Sequence, residues 1–259
     1  MLYKAELRPL RGSWLEFQVK RNDIITVKID RHRKFPVTVL LRGIETLTDE
    51  NIMEYFGDID KDPIHLYIQS TLDKDSTKTR EEAIIEIYEK MRPGEPAVFE
   101  NAQQYLHQLF FDSRRYDLAK VGRYKLNKRL GINVPNDNTN LVLKKEDIIA
   151  TIRYLIGLQN SQGKVDDIDH LANRRVRCVG ELVATTAFRI GLLRLERSIR
   201  EKMSLTKAEE KITSASLVNA RPIIATISEF FRRNRLSTIL DQTNPLSEID
   251  NLRRLSVMG

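Results

Sequence analysis

Leu15-Glu16-Phe17-Gln18-Val19 and Ile25-Thr26-Val27-Lys28-Ile29, joined by the polar link Lys20 to Asp23, open the reading of the fold. In each run apolar and polar residues alternate, the two-residue period of a half-buried strand. A link this short makes the pair a hairpin. Val37 to Leu41 reads as a third strand, with Pro36 at its start, where a missing N–H does least harm. Beyond residue 75 the period lengthens. Thr79 and Glu82 have the spacing of a capping box. Behind them Ala83, Ile84, Ile87, Tyr88 and Met91 form one helical stripe that stops at Arg92-Pro93-Gly94.

Further helices follow on the same signal. One carries Phe99, Ala102, Tyr105, Leu106, Leu109 and Phe110. A second carries Leu118, Val121, Leu126 and Leu130 and ends near Gly131. A third carries Ile148, Ile149, Ile152, Leu155 and Ile156. The turn-formers at 133–140 predict a surface loop. Asn160 to Val165 is polar and contains Gly163, which sets the expected domain boundary. Past it a long helix is expected from about Cys178 to Met203. Its apolar side holds Val179, Leu182, Val183, Ile190 and Leu193, and its other side Arg189, Arg194, Arg197 and Arg200. Pro222 to Phe231 predicts one more helix, proline being tolerated in the first turn. The fold class is therefore α+β: N-terminal antiparallel strands with a helical lobe over 1–165, then a mostly helical domain over 166–259.

The bulk numbers fit a chain that can bury a core: 259 residues, 41% hydrophobic and 31% charged. No apolar run approaches the roughly 20 residues of a membrane span, and the N-terminus lacks the apolar stretch of a secretory signal. A single cysteine, Cys178, fits a reducing, cytoplasmic setting. The net charge of +7 is uneven. Residues 168–259 hold 16 Lys and Arg against 10 Asp and Glu, whereas residues 1–167 are nearly balanced. A basic bias in one region suggests a polyanion partner; a solvated, arginine-rich helix surface gives the same count.

No P-loop, dinucleotide fingerprint or nucleophile elbow is present, and no catalytic residue is assigned. His32, His65, His107 and His170 have no neighbours at zinc spacing. Asp166, Asp167 and Asp169 have the chemistry of a hard-cation site, but Arg174, Arg175 and Arg177 follow closely and would neutralise them, and no metal is assigned. Asp169 to Arg175 is dense in hydrogen-bonding side chains. It reads equally as a base-recognising segment or as a salt-bridge network bracing a helix start. Trp14, the only tryptophan, reads either as a core anchor or as a platform for an unstacked base.

Several stretches together resemble the β subunit of bacterial DNA-directed RNA polymerase. They are Arg11-Gly12-Ser13-Trp14-Leu15-Glu16-Phe17, Ile29-Asp30-Arg31, Met91-Arg92-Pro93-Gly94-Glu95-Pro96, Arg115-Tyr116-Asp117-Leu118, Val165 to Leu171 with Asn173-Arg174-Arg175, Asn219-Ala220-Arg221-Pro222 and Asp241 to Ser247. They fall in the family's order along nearly the whole chain.

The resemblance implies a β-lobe-like domain over 1–165 and, from 166, a fork-like domain ending in a rifamycin-pocket segment. It implies nucleic-acid contacts at Trp14, Asp169, Arg174, Arg175 and Arg254. Trp14 would stack on an unstacked non-template-strand base, Asp169 would bond the base edge, and Arg174 would support the pocket. The rifamycin-pocket positions are Arg235, Leu236, Ser237, Asp241, Asn251, Arg254, Leu255 and Ser256. Partners implied are the β′ and α subunits, a sigma factor, both DNA strands and nascent RNA. This segment would hold no cofactor; the Mg2+ of the assembled nucleotidyltransferase would sit on β′ aspartates, and the isolated chain would be inactive.

The chain departs from the family pattern at several points. Ala172 replaces a usual glycine. Leu182 to Phe188 has one residue more than the family pattern, which would rotate the following helix face by about 100°. Arg232-Arg233-Asn234-Arg235 replaces a small polar run, Asn251 a histidine and Leu252 a lysine. The chain is expected to be a partial subunit, lacking half of the protrusion before residue 1 and a glycine-rich continuation after Gly259. Two other readings stay open: a free-standing nucleic-acid-binding module and a scaffold that docks other polymerase subunits.

Overall fold

The computed structural model describes residues 2–205 and 213–256, and the chain divides into two compact units, Met1–Val165 and Asp166–Gly259. The end of the expected second domain, Val257-Met258-Gly259, lies outside the described residues.

The first unit is built on one antiparallel sheet in the order β1 (Lys4–Leu7), β2 (Leu15–Val19), β3 (Ile25–Ile29), β4 (Phe35–Pro36). The predicted hairpin is β2–β3. Leu15 pairs with Ile29, Phe17 with Val27 and Val19 with Ile25, so the alternate residues of both strands face one core. The link closes with Lys20 N–H donating to Ile24 O at 2.9 Å, and Asp23 takes the left-handed conformation at φ 61°.

The expected third strand is corrected. Val37–Ile44 is helix α1, and β4 stops at Pro36. Val37 through Gly43 are all buried, so this run is enclosed on every side, and a continuous apolar run carries no period to separate helix from strand. α1 packs on α4 (Arg80–Met91). A Cβ on Gly43 would stand 2.9 Å from Ile87 Cδ1, so a larger residue there would make the Ile87 side chain shift.

The remaining helices of this unit are α2 (Asp49–Phe56), α3 (Tyr67–Lys74), α5 (Phe99–Phe110), α6 (Ala119–Leu130) and α7 (Lys145–Gln159). Thr79 and Glu82 form the predicted capping box at the start of α4. Gly131 ends α6 at φ 68°, a conformation that costs glycine little.

Two arginines lie inside this core with no exposed surface, Arg42 and Arg123. Arg42 Nη1 donates to Asp75 Oδ2 at 2.7 Å and to Thr77 O, and its Nη2 reaches Asp49. Arg123 grips Asp147 with Nη1 at 2.7 and 2.8 Å from the two carboxylate oxygens. Its other nitrogens donate to Asn140 O at 2.8 Å and to Val142 O. Buried charge persists only when paired and hydrogen-bonded in this way. Arg123 is also the one fully buried side chain of α6; Val121, assigned to its apolar stripe, is 67% exposed.

The second unit carries α8 (Val179–Leu182), a π-helical stretch Val183–Phe188, α9 (Arg189–Leu205), α10 (Ser214–Leu217), α11 (Arg221–Arg233) and α12 (Pro245–Leu252). The predicted long helix is present, with two corrections. First, its buried side is Leu182, Ala187 and Gly191, while Val179, Ile190 and Leu193 are 60, 42 and 58% exposed. The buried stripe steps by five residues from 182 to 187 and by four from 187 to 191. Second, Val183–Phe188 is π-helical rather than α-helical, and the α9 that follows lies against α11. The carbonyls the π stretch frees accept from Thr185 Oγ1 (to Glu181 O, 2.8 Å) and from Thr186 Oγ1 (to Leu182 O). At the α9–α11 contact a Cβ on Gly191 would meet Thr226 Oγ1 at 2.6 Å and Ile223 Cα at 3.0 Å.

Candidate nucleic-acid interface

Trp14 begins the interface on the first unit. It is half-buried, one residue before β2. Its backbone is tied at both ends to Asp30: Trp14 N–H donates to Asp30 Oδ1 at 2.7 Å and Asp30 N–H donates to Trp14 O at 3.0 Å. Asp30 and Arg31 both have positive φ, 44° and 64°, and His32 N–H closes the turn onto Ile29 O at 2.8 Å. This turn carries the Arg31 guanidinium to 5.3 Å from the indole centroid, and the Arg8 guanidinium stands over the same ring at 4.6 Å. Arg8 is also paired with Glu6.

Arg11, the cation nearest in sequence, points elsewhere and donates to Ser113 O at 3.2 Å. Its backbone forms an antiparallel bridge with Asp117, with N–O distances of 3.1 and 2.8 Å. Gly12, at φ 124°, rests on Tyr116. Two motifs a hundred residues apart, Arg11 to Trp14 and Arg115 to Leu118, are thus one piece of structure.

On the second unit, residues 166–177 are exposed throughout. The brace of this segment is Asp167, a residue that sequence reasoning treated only as one of three acids. Its Oδ1 accepts from Asp169 N–H at 3.0 Å and His170 N–H at 3.3 Å, and its carbonyl accepts from Asn173 Nδ2 at 2.9 Å. The Asp169 carboxylate is left outward, 84% exposed, with Arg174 Nη1 at 3.5 Å. Arg175 pairs with Glu181 at 2.8 Å. Exposed pairs of this kind contribute about 0–1 kcal/mol, so either arginine can exchange its carboxylate for another anion at little cost. Among the described residues no group of three or more His, Cys, Asp or Glu is placed to hold a metal ion.

The segment expected to line a drug pocket starts where α11 ends. Arg232, Arg233 and Arg235 are exposed, the first two in the last turn, where the helix dipole favours cations. Leu236 packs on the small core of Leu182, Ala187 and Phe230, and Ser237 Oγ donates to Phe230 O at 2.9 Å. Asp241 accepts from Thr243 N–H and Oγ1 at 3.0 and 2.8 Å, bonds that hold its carboxyl below the usual range. Asn251, at the end of α12, is half-buried, Arg254 lies 3.8 Å from Asp250, and Leu255 and Ser256 are exposed.

No helix among the described residues is long and apolar enough to cross a membrane. Cys178 is free and exposed.

Residues 2–177 match the family model of RNA polymerase Rpb2, domain 2. Over its full length the chain is 49% identical to the DNA-directed RNA polymerase subunit beta of Dehalococcoides mccartyi strain BAV1, of which it covers 20%. It is 45% identical to that of Chloroflexus aggregans, again over the whole chain and 23% of the relative. Against Trichodesmium erythraeum the identity is 48% over 99% of the chain and 22% of the relative. The chain spans about a fifth of the length of these relatives. It belongs to the RNA polymerase Rpb2 domain 2 family, and its sequence is that of a segment of a bacterial-type β subunit.

Proposed function

We propose that this segment positions nucleic acid inside an assembled DNA-directed RNA polymerase, with 1–165 as a lobe along the DNA path and 166–259 as a fork beside the RNA–DNA hybrid. The observation that carries this reading is the match of the chain to β subunits over 99–100% of its length. Nucleotidyl transfer, with Mg2+ on β′ aspartates, then belongs to the cytoplasmic assembly with β′, α and sigma subunits. On the first unit Trp14 stacks on an unpaired base; on the second, Asp169 accepts from a base edge while Arg174 steadies the carboxylate. Arg175 and Arg254 face phosphates.

The chemistry supports these roles. An indole held by its backbone is a preorganised stacking surface, worth about 1–3 kcal/mol per base. The outward Asp169 carboxylate has lone pairs to spare. The test is fluorescence titration of the chain with single-stranded DNA across a salt series. Read by the anisotropy of a fluorescein-labelled strand, so that Trp14→Ala can be compared, binding that weakens with salt, and about five- to 150-fold on Trp14→Ala, is expected; salt-independent binding, or no binding, counts against the reading.

A second reading, docking of other polymerase subunits on the second unit, is favoured by its bare apolar side chains. Ile239, Leu246 and Leu252 are 97, 77 and 70% exposed. The two roles are compatible in one assembly. For the drug pocket, Arg235 and Asn251 alter size, charge and donor set, so weaker rifamycin binding is expected. Grafting residues 232–256 into a sensitive polymerase and finding unchanged inhibition would remove that part.

A further inference from the structure

Arg31 is an expensive residue in its position. A turn with two successive left-handed residues prefers Asp-Gly or Asn-Gly, and Asp30-Arg31 takes it at φ 44° and 64°. Glycine would form this turn with less strain. What the arginine adds is a guanidinium over the indole of Trp14. The side chain has no ion pair or hydrogen bond among the described residues, and it is exposed. Arg8, by contrast, is held by Glu6. The turn continues into His32, Arg33 and Lys34, all exposed, so this corner of the sheet attracts phosphate.

We propose that Arg31 is a displaceable cover on Trp14. An unpaired nucleotide of single-stranded DNA takes the guanidinium's place on the ring, and its phosphate takes the guanidinium in exchange. This rests on the stacking role given to Trp14 above. Magnitudes favour the exchange. Stacking of a base on an aromatic side chain is worth about five- to 150-fold in affinity, against about two- to fivefold for an exposed cation–π contact. The released guanidinium then gains a charge-assisted bond with phosphate. The site thereby prefers a base that arrives with its backbone over a free base, because only the former gives the displaced arginine a partner.

Trp14 is the sole tryptophan, so the fluorescence of the full chain reads this ring directly. Wild type and Arg31→Gly, which suits the left-handed turn, are titrated with an oligothymidylate and with uncharged thymidine. In Arg31→Gly, thymidine binding should strengthen about two- to fivefold. Oligothymidylate binding should lose about 0.7 from its salt slope, the share of one phosphate contact on a single strand. Arg31→Lys should keep the slope. If thymidine binding is unchanged or weaker in Arg31→Gly while the oligonucleotide still quenches wild type, the cover is overturned and stacking survives. If the oligonucleotide quenches neither chain, the stacking reading beneath it falls as well.

Discussion

Gly12→Ala tests whether the Arg11 to Trp14 loop is seated as the structure has it. Gly12 has φ 124°, and a Cβ there would stand 2.6 Å from Tyr116 Cδ2, 3.1 Å from Tyr116 Cα and 3.2 Å from Arg115 O. Two of these atoms are backbone, and the Tyr116 ring is 1% exposed with the Phe110 ring 6.3 Å away, so neither side yields easily. If the loop stayed in place it would bear about 1–3 kcal/mol of backbone strain and a further ~1–3 kcal/mol of overpacking. If it lifted, it would give up two backbone bonds between Arg11 and Asp117 and one from the Arg11 side chain to Ser113 O, about 1 kcal/mol each. The cheaper route decides, so the first unit should lose about 2–3 kcal/mol. Urea unfolding followed by circular dichroism measures this; with a slope of about 1–3 kcal/mol per molar, the midpoint should fall by roughly 0.7–3 M. Trp14 remains held by its two bonds to Asp30, so its native emission should change little. An Ala variant within about 0.5 kcal/mol of wild type, the range of ordinary surface substitutions, would refute the seating.

Arg123→Met leaves Asp147 buried without its partner and should cost about 3–5 kcal/mol in urea unfolding. Arg123→Met with Asp147→Leu should recover part of that loss, and equal losses in the two variants would mean that the pair is uncoupled. Gly191→Val forces a side chain into the 2.6 Å gap to Thr226 Oγ1 and should loosen α9 from α11, seen as faster amide exchange in α11; unchanged exchange would mean that the helices tolerate separation.

What could be read beforehand follows from the range of the interactions. The β2–β3 hairpin and the Thr79–Glu82 capping box are set by residues within a few positions of each other, so pattern alone finds them. α1 was misread because burial on all sides erases periodicity, and that burial is supplied by α4, some forty residues later. Arg42 and Arg123 look like surface residues in a sequence, since arginine is rarely fully buried unless paired. Their partners Asp75 and Asp147 lie 33 and 24 positions away. The site shows the same division. Residue type leaves Trp14, Asp169 and Arg174 with two readings each, and the resemblance to the family is what singles them out. Asp30, Arg31 and Asp167 lie in stretches that carry the resemblance, but their local roles, tethering Trp14, reaching its ring and bracing the 166–177 segment, show only in backbone conformation and side-chain contacts.

The two units differ in what holds them, and the difference bears on function. The first encloses a continuous core from Leu7 to Ile156, with its buried charges paired. The second has a buried cluster of Leu182, Ala187 and Phe230, joined by the partly buried Val183, Ile227 and Leu236. Among the described residues its remaining large apolar side chains are mostly open to water. Apolar burial is the main favourable term in folding, and ordering a chain is the main cost. A unit that buries so little of its own apolar surface has its shape completed by what it docks against. The proposed role, with arginines toward nucleic acid and apolar residues toward protein, would call for such a surface. Within this unit, the close α9–α11 approach at Gly191 lies beside the small cluster of Leu182, Ala187 and Phe230, so the packing between these two helices carries much of the order that the described residues supply themselves.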